Sequence, residues 1–395
     1  MSIKPQGMLI YDTHTGGKMY VDSLTAIQLV SKIYEDENLG CIKLEQSDLD
    51  DEETRGFVDA VVKNGMGKLL DQVEHPIKPV ILLPILSLNH DVEKFKNKDN
   101  VGFFLTRDIS KYLLEVNIML NNLCQQECQH CYGYCRQLFC CSKEESPENM
   151  SKDYLTSLLR QLSYFPVHTI NVTGGNIYKY PDLEVFDITD KGGKKLFNFY
   201  VHYLNYQRNE YIDCQNIHLI INAPVNMAKL QKVYSLTKGK SVKYHFIVED
   251  DEQYRELESI MGDLGIENFE THPYYNGHNM KFFEENVYLY ENDIIDTPLS
   301  MREIFRNQKL NANSFGNLYF LPNGDIKANL NERALGHLGK DKIIDAISNE
   351  MMQNTAWRKV RSSGPCQNCV YQYLCPPLSD YEKALNRQNL CHVQK

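Results

Sequence analysis

The sequence predicts an α/β protein: repeated strand–helix units forming a curved or closed parallel sheet, preceded by a small α/β unit and followed by a cysteine-rich segment. Three observations carry this. From residue 111 onward, apolar runs alternate with amphipathic runs of helical period, the pattern of a parallel sheet with crossover helices. The first 74 residues read instead as a hairpin followed by two helices. Twelve cysteines fall mostly in two groups, six between 124 and 141 and four between 366 and 391.

In the N-terminal unit, residues 1–74, strands at Met8–Asp12 and Lys18–Val21 flank a turn containing Gly16 and Gly17. Asp22 or Ser23 caps a helix that puts Leu24, Ile27, Val30 and Tyr34 on one face. The acidic DLDDEE complements the dipole at the start of a second helix bearing Phe57, Val58, Val61 and Val62. Gly65 ends it, and Lys68–Leu70 is expected to return as a strand. The unit is winged-helix-like and has no cluster of catalytic side chains, so it reads as a binding module. Residues 75–110 follow as an extended connector, expected to be partly buried over 75–95, in which Pro76, Pro79 and Pro84 oppose helix.

The central region, 111–305, opens with an apolar strand, Tyr112–Leu120, that runs into NNLCQQECQHCY. Helix Ser151–Leu162, strand His168–Thr173, helix Lys195–Tyr206, strand Ile217–Asn222, helix Met227–Leu236, strand Val242–Val248, helix Glu252–Leu264 and a strand near Phe269 are expected in turn. In such a sheet the site lies at the C-terminal ends of the strands. The last region, 306–395, starts with a hairpin, Leu318–Leu321 and Asp325–Ala328, about a Pro322–Asn323–Gly324 turn. A short helix over Ile343–Glu350 and then CQNCVYQYLC follow.

Composition narrows the function. Hydrophobic content of 42% and charged content of 24% suit a soluble globular chain. The sequence has no apolar run long enough for a membrane span and no secretory signal, so a cytoplasmic protein without a membrane partner is expected. A net charge of −10 argues against nucleic acid as a partner. Grouped cysteines without a secretory signal read as metal ligands before disulfides.

Cys124, Cys128 and Cys131 are spaced C-x3-C-x2-C on a loop just after a strand. Three thiolates bind three irons of a [4Fe–4S] cube and leave the fourth iron open. A zinc site would instead recruit a fourth ligand such as Cys135 or His130. Cys366, Cys369 and Cys375 read C-x2-C-x5-C, with Cys391 beyond. These four can close one [4Fe–4S] site completely, or form a zinc knuckle. Cys135, Cys140 and Cys141 read as free thiols, Cys41 and Cys214 as small core residues, and His278 as a loop histidine.

CxxxCxxC after the first strand of the βα series resembles the signature of the radical S-adenosylmethionine (SAM) superfamily. Tyr132, after the third cysteine, resembles its peptide-modifying branch. The resemblance implies a partial (β/α) barrel whose open iron is chelated by SAM. It also implies reductive cleavage to a 5′-deoxyadenosyl radical that removes a hydrogen atom from the substrate. Thr173–Gly174–Gly175–Asn176 resembles the family's TGGE turn, so Gly174, Gly175 and Asn176, together with His130, are the expected cofactor-binding residues. Asparagine replaces the usual glutamate, and with it goes the charge that pairs with the SAM ammonium.

The four C-terminal cysteines resemble the outer auxiliary ligands of a SPASM domain. The inner ligands are missing: the hairpin reads GDIKANLNE, and Pro376–Pro377–Leu378–Ser379 follows Cys375. One auxiliary [4Fe–4S] cluster is therefore expected. The N-terminal unit resembles the leader-peptide-binding domain of ribosomal peptide biosynthesis, which binds its ligand by strand addition.

Together these imply a radical SAM/SPASM maturase forming a thioether or carbon–carbon bond in a ribosomally made precursor peptide, with a ferredoxin or flavodoxin as electron donor. Two other readings stay open. One is a catalytically degenerate relative that binds leader peptide or a sister maturase. The other is a radical SAM activator of another enzyme. No catalytic acid or base is identifiable from the sequence.

Overall fold

The computed structural model describes residues 2–5, 7–81, 92, 109–124, 126, 136–138, 148–187 and 197–393. It is mixed α/β, with one three-stranded and one nine-stranded sheet among the described residues.

Strands β1 (Ser2–Lys4), β2 (Gly7–Tyr11) and β3 (Lys18–Val21) form the small antiparallel sheet, in that order. The expected hairpin is β2–β3, with Tyr11 opposite Lys18. Lys68–Leu70 is not a strand. Instead Ser2–Lys4 occupies the free edge of β2, with Lys4 opposite Gly7, and Leu69 and Leu70 are left exposed. Helices α1 (Leu24–Ile33), α2 (Gln46–Asp50) and α3 (Glu52–Lys63) follow. The Ser23 hydroxyl accepts from the Ala26 N–H at 3.1 Å, and the Asp51 carboxylate accepts from the Thr54 N–H at 2.8 Å. Each cap satisfies a helix donor that would otherwise be orphaned.

Alternation then separates the two faces of this sheet. Met8 and Ile10 face α1 and α3, packing with Val30, Phe57 and Val61. Leu9 and Tyr11 face the other way, against Ile294, Leu299, Val370 and Leu374. Among the described residues β3 pairs only with β2, so its outer edge is open. Residues 75–81 of the connector are exposed rather than partly buried, and 82–91 lie outside the described residues.

The large sheet has the order β12-β11-β10-β4-β5-β6-β7-β8-β9. Strands β4 (Glu115–Met119), β5 (Thr169–Thr173), β6 (Phe197–His202), β7 (Asn216–Asn222), β8 (Val242–Val248) and β9 (Phe269–Pro273) are parallel and in sequence order. Helices α4 (Lys152–Leu162), α5 (Glu210–Asp213), α6 (Met227–Thr237) and α7 (Asp251–Leu264) alternate with them. Next come α8 (Met280–Asn286), α9 (Glu291–Ile295) and α10 (Met301–Lys309).

One strand, β6, lies where a helix is expected over Lys195–Tyr206. Phe197, Phe199 and Val201 are buried, while Asn198, Tyr200 and His202 point the other way, which is period two. Aromatic and β-branched side chains favour that pleated surface, and the position between β5 and β7 requires a strand.

The face with Val116, Val172, Phe199, Leu219 and Phe246, all fully buried, packs against Leu155 and Leu158 of α4, Val233 of α6 and Leu257 of α7. Burying one such side chain stabilises by roughly 1.5–3 kcal/mol. The opposite face is polar and carries the candidate chemistry. Beyond residue 306 the same sheet continues. Strand β10 (Asn317–Phe320) runs parallel to β4, with Leu318 opposite Val116, and β11 (Asp325–Lys327) and β12 (Gly336–His337) extend it antiparallel. Helices α11 (Ile343–Gln353) and α12 (Asp380–Ala384) are the last α-helices among the described residues. No helix among the described residues is long and apolar enough to cross a membrane.

Candidate cofactor sites

The first site forms where β4 and β5 end side by side. The Leu120 N–H donates to the Thr173 carbonyl at 2.8 Å, and the chain then turns through Asn121 to Cys124, which is half-buried. Against it lies the glycine turn. Gly174 has φ +147°, and a Cβ there would sit 2.7 Å from the Asn121 carbonyl oxygen. A Cβ on Gly175 would lie 2.4 Å from the Leu123 carbonyl carbon and 2.6 Å from the Cys124 nitrogen. Only glycine lets the two backbones meet so closely.

The turn is pinned there by hydrogen bonds. Gly175 N–H donates to the Asn121 carbonyl at 2.8 Å, Asn176 N–H to the Leu123 carbonyl at 2.7 Å, and the Asn121 side-chain amide to the Asn176 carbonyl at 3.0 Å. Asn121, fully buried, is a positioning residue that sequence reasoning missed; its place directly after the strand was the available signal. The Asn176 side chain turns back on its own segment, where its oxygen accepts from the Tyr178 N–H at 3.1 Å. Cys128, His130 and Cys131 lie outside the described residues, as do Tyr132, Cys135, Cys140 and Cys141.

The described residues resume at Arg136. The Arg136 N–H donates to the Asn331 side chain at 2.7 Å, and the Asn331 amide donates to the Arg136 carbonyl at 2.9 Å. Gln137 makes the same reciprocal pair with the Tyr275 backbone, at 3.0 and 2.9 Å. Leu138 packs on Ile220, Ile247 and Tyr274. Between this segment and the C-terminal region lies a cavity of about 290 Å³, lined in part by Arg136, Tyr319, Asn329, Asp380 and Lys383.

Two side-chain rows cross the polar face of the sheet. In the first, the Asn171 amide donates to Glu115 at 2.8 Å and to Asn117 at 2.9 Å, Asn198 donates to Asn171 at 2.9 Å, and Asn216 to Asn198 at 3.0 Å. Burial raises the Glu115 carboxyl, opposed by its hydrogen bonds to Asn117 and Asn171. In the second row, His218 Nδ1 lies 2.8 Å from His245 Nε2, and His245 Nδ1 lies 2.9 Å from His272 Nε2. Burial lowers all three imidazoles, His218 to about 4 and His245 to about 3. His278 lies apart, exposed, with its N–H donating to Asn276 at 2.9 Å.

The second cysteine group does come together. Cys366 and Cys369 are buried, Cys375 and Cys391 are half-buried, and none of them is in a disulfide. Burial pushes the Cys375 thiol up to about 12; the Arg361 guanidinium opposes this, and Cys369, Cys391 and Cys366 add to it. Arg361 is itself half-buried, with its side chain 10% exposed, and ion-paired to Glu382 at 2.6 Å, so it is a fixed cation beside the thiols. Among the described residues, no three of these sulfurs lie within 4.8 Å of one another. From the N-terminal unit, the Lys4 ammonium reaches this segment and donates to the Gln367 carbonyl at 2.7 Å and to Gln372 at 2.6 Å. Cys214, expected in the core, is exposed at the end of α5.

No protein-family model matches the chain, and no curated protein matches it. Several solved structures resemble it at low identity. Streptococcus suis SuiB bound to S-adenosylmethionine is 11% identical, over 95% of this chain and 94% of that chain, with a TM-score of 0.48. SuiB bound to precursor peptide SuiA is 13% identical over the same shares, with a TM-score of 0.49. The protein anSMEcpe with bound AdoMet is 12% identical, over 66% of this chain and 84% of that chain, with a TM-score of 0.46.

Proposed function

We propose that the chain is a radical SAM maturase that modifies a ribosomally made precursor peptide, forming a thioether or carbon–carbon bond. The observation that carries this reading is the packing of Gly175 against the Leu123–Cys124 peptide, which sets a glycine turn beside a cluster-loop cysteine. Cys124, Cys128 and Cys131 would hold the [4Fe–4S] cluster whose open iron takes SAM, and Gly174, Gly175 and Asn176 would face the bound SAM, with His130 in the same loop. Bound SAM and cluster would supply an organic radical able to take a hydrogen atom from the peptide. Cys366, Cys369, Cys375 and Cys391 would hold one auxiliary cluster, whose charge Arg361 offsets.

The N-terminal unit would take the leader. An extended peptide would add along the outer side of β3, which among the described residues pairs only with β2, and the tether would raise the effective concentration of the core peptide at the sheet. A ferredoxin or flavodoxin would supply the electron.

Iron counting tests the cofactor assignment. Anaerobically reconstituted protein should hold about eight irons, four per cube. Replacing Cys124, Cys128 and Cys131 together with Ala should remove half of them. Zinc in place of one iron set would overturn the auxiliary site. Deleting residues 1–74 should abolish tight binding of a precursor peptide encoded beside this chain; unchanged affinity would remove the leader-binding role.

One observation favours a second reading. The Asn176 side chain is committed to the Tyr178 N–H. A degenerate protein that binds leader peptide or a sister maturase would need no carboxylate there.

A further inference from the structure

The row of histidines on β7, β8 and β9 ends in a set of donors that the cysteine chemistry does not use. His245 Nδ1 and His272 Nε2 lie 2.9 Å apart, and Glu270 Oε2 is 3.6 Å from the first and 3.8 Å from the second. We propose that His245, Glu270 and His272 form a mononuclear site for a divalent transition ion, zinc or a borderline neighbour such as Co²⁺ or Ni²⁺.

The geometry is close to what such an ion requires. A tetrahedral zinc with Zn–N and Zn–O near 2.0–2.2 Å separates its ligand atoms by about 3.3–3.5 Å. The three observed separations bracket that value, so each atom needs to shift by only a few tenths of an ångström. Two imidazoles and a carboxylate are hard-to-borderline donors that suit zinc, nickel and cobalt. They fill three positions of a tetrahedron and leave the fourth for water or an exogenous ligand.

The surrounding atoms are already arranged for this. His245 Nε2 lies 2.8 Å from His218 Nδ1. If Nε2 carries the proton and donates to His218, the Nδ1 lone pair is left facing the ion. This is the outer support that ligating histidines almost always have. Lys243 donates to the other oxygen of Glu270 at 2.5 Å, which orients the carboxylate with Oε2 toward the imidazoles. The rings stack with centroids 5.1 Å apart, at 19° for His218–His245 and 26° for His245–His272. They sit on neighbouring strands of one sheet, not on loops, so the site is preorganised.

Without an ion, one ring proton bridges His245 Nδ1 and His272 Nε2. When the ion enters, that proton passes through solvent to His272 Nδ1, and both facing nitrogens become ligands. Access is open from this edge, because β9 is the terminal strand of the sheet among the described residues. The His272 and Glu270 side chains are 24% and 50% exposed, against 7% for His245.

The test compares zinc bound by full-length wild type with zinc bound by full-length variants, after equilibrium dialysis against zinc sulfate. Any zinc on cysteines is common to both and cancels. Wild type should hold one more zinc per chain than His245→Gln/His272→Gln. Glu270→Gln, a change at a half-exposed side chain that leaves the fold intact, should weaken that zinc at least tenfold. His218→Gln should keep the stoichiometry at saturation but lose about 10- to 100-fold in affinity. The zinc absorption edge of wild type minus that of the double variant should report nitrogen and oxygen ligands without sulfur. Equal zinc affinity in wild type and Glu270→Gln, or a difference spectrum dominated by sulfur, would overturn the site whatever becomes of the SAM reading.

Discussion

The backbone N–H of Asn176 donates to the carbonyl of Leu123 at 2.7 Å, which ties the turn after β5 to the residue before Cys124. Through this bond and the contact at Gly175, the position of Cys124 depends on a turn 50 residues further along the chain. Gly175→Ala puts a methyl group 2.4 Å from backbone that has no room to move aside. The variant should fold, lose the iron of the Cys124 cluster and keep the auxiliary iron. Iron analysis checks this, and full iron retention would show that the loop is positioned otherwise.

A carboxylate at 176 should strengthen SAM binding. A charge-assisted hydrogen bond contributes roughly 1.5–3 kcal/mol. Against this, Asn176→Glu gives up the cap on the Tyr178 N–H, and losing a cap costs about 0.5–2 kcal/mol of local stability. The net expectation is a SAM dissociation constant roughly tenfold lower, equivalent to about 1.4 kcal/mol. Equilibrium binding to iron-loaded protein measures it, and weaker binding by the glutamate variant would place the SAM ammonium elsewhere.

Glu350 should be among the costliest single positions for stability. It is fully buried and accepts from the N–H groups of Thr355, Ala356 and Trp357 at 2.9, 2.9 and 2.8 Å and from the Thr355 hydroxyl at 2.5 Å. Glu350→Ala leaves three buried amide donors unpaired, at about 1–3 kcal/mol each. A loss of at least about 3 kcal/mol is expected in denaturant unfolding. Trp357, the only tryptophan in the chain, is buried in the same loop and reports the transition by fluorescence. A loss within about 0.5 kcal/mol, the usual range for surface substitutions, would contradict the assignment.

The asparagine row predicts a pH dependence. Burial raises the Glu115 carboxyl above its ordinary value, so the folded chain holds that proton more tightly than the unfolded chain does. Its contribution is therefore most favourable below the ordinary carboxylate range and is lost as pH rises through the folded value. Glu115→Gln mimics the protonated form. Thermal unfolding should find the variant equal to wild type near pH 4 and more stable near pH 7. A wild type that gains on the variant as pH rises would reverse the sign and contradict the account.

The sequence made some features legible and hid others for reasons of geometry. Strands β5, β7 and β8 carry a clear alternation, and the TGGN turn and both cysteine groups are local patterns. Strand β6 misleads because FNFYVHYLNY places apolar side chains at spacings that satisfy either period over a short window. Strand β1 is three residues, SIK, with no pattern of its own, and exists because the edge of β2 accepts it. The rows Asn117–Asn171–Asn198–Asn216 and His218–His245–His272 are single residues on separate strands. Only the register of the sheet assembles them, although their recurrence in EVNIM, TINVT, IHLII and YHFIV was a visible trace.

Release of 5′-deoxyadenosine tests the central claim most directly. Iron-loaded wild-type protein, reduced with dithionite in the presence of SAM, should form it, and Asn176→Glu should form it at lower SAM concentrations. Product is read by mass spectrometry, with and without precursor peptide. If neither protein forms 5′-deoxyadenosine under either condition while both carry full iron, the three-cysteine site does not cleave SAM, and a peptide-binding role replaces the enzymatic one.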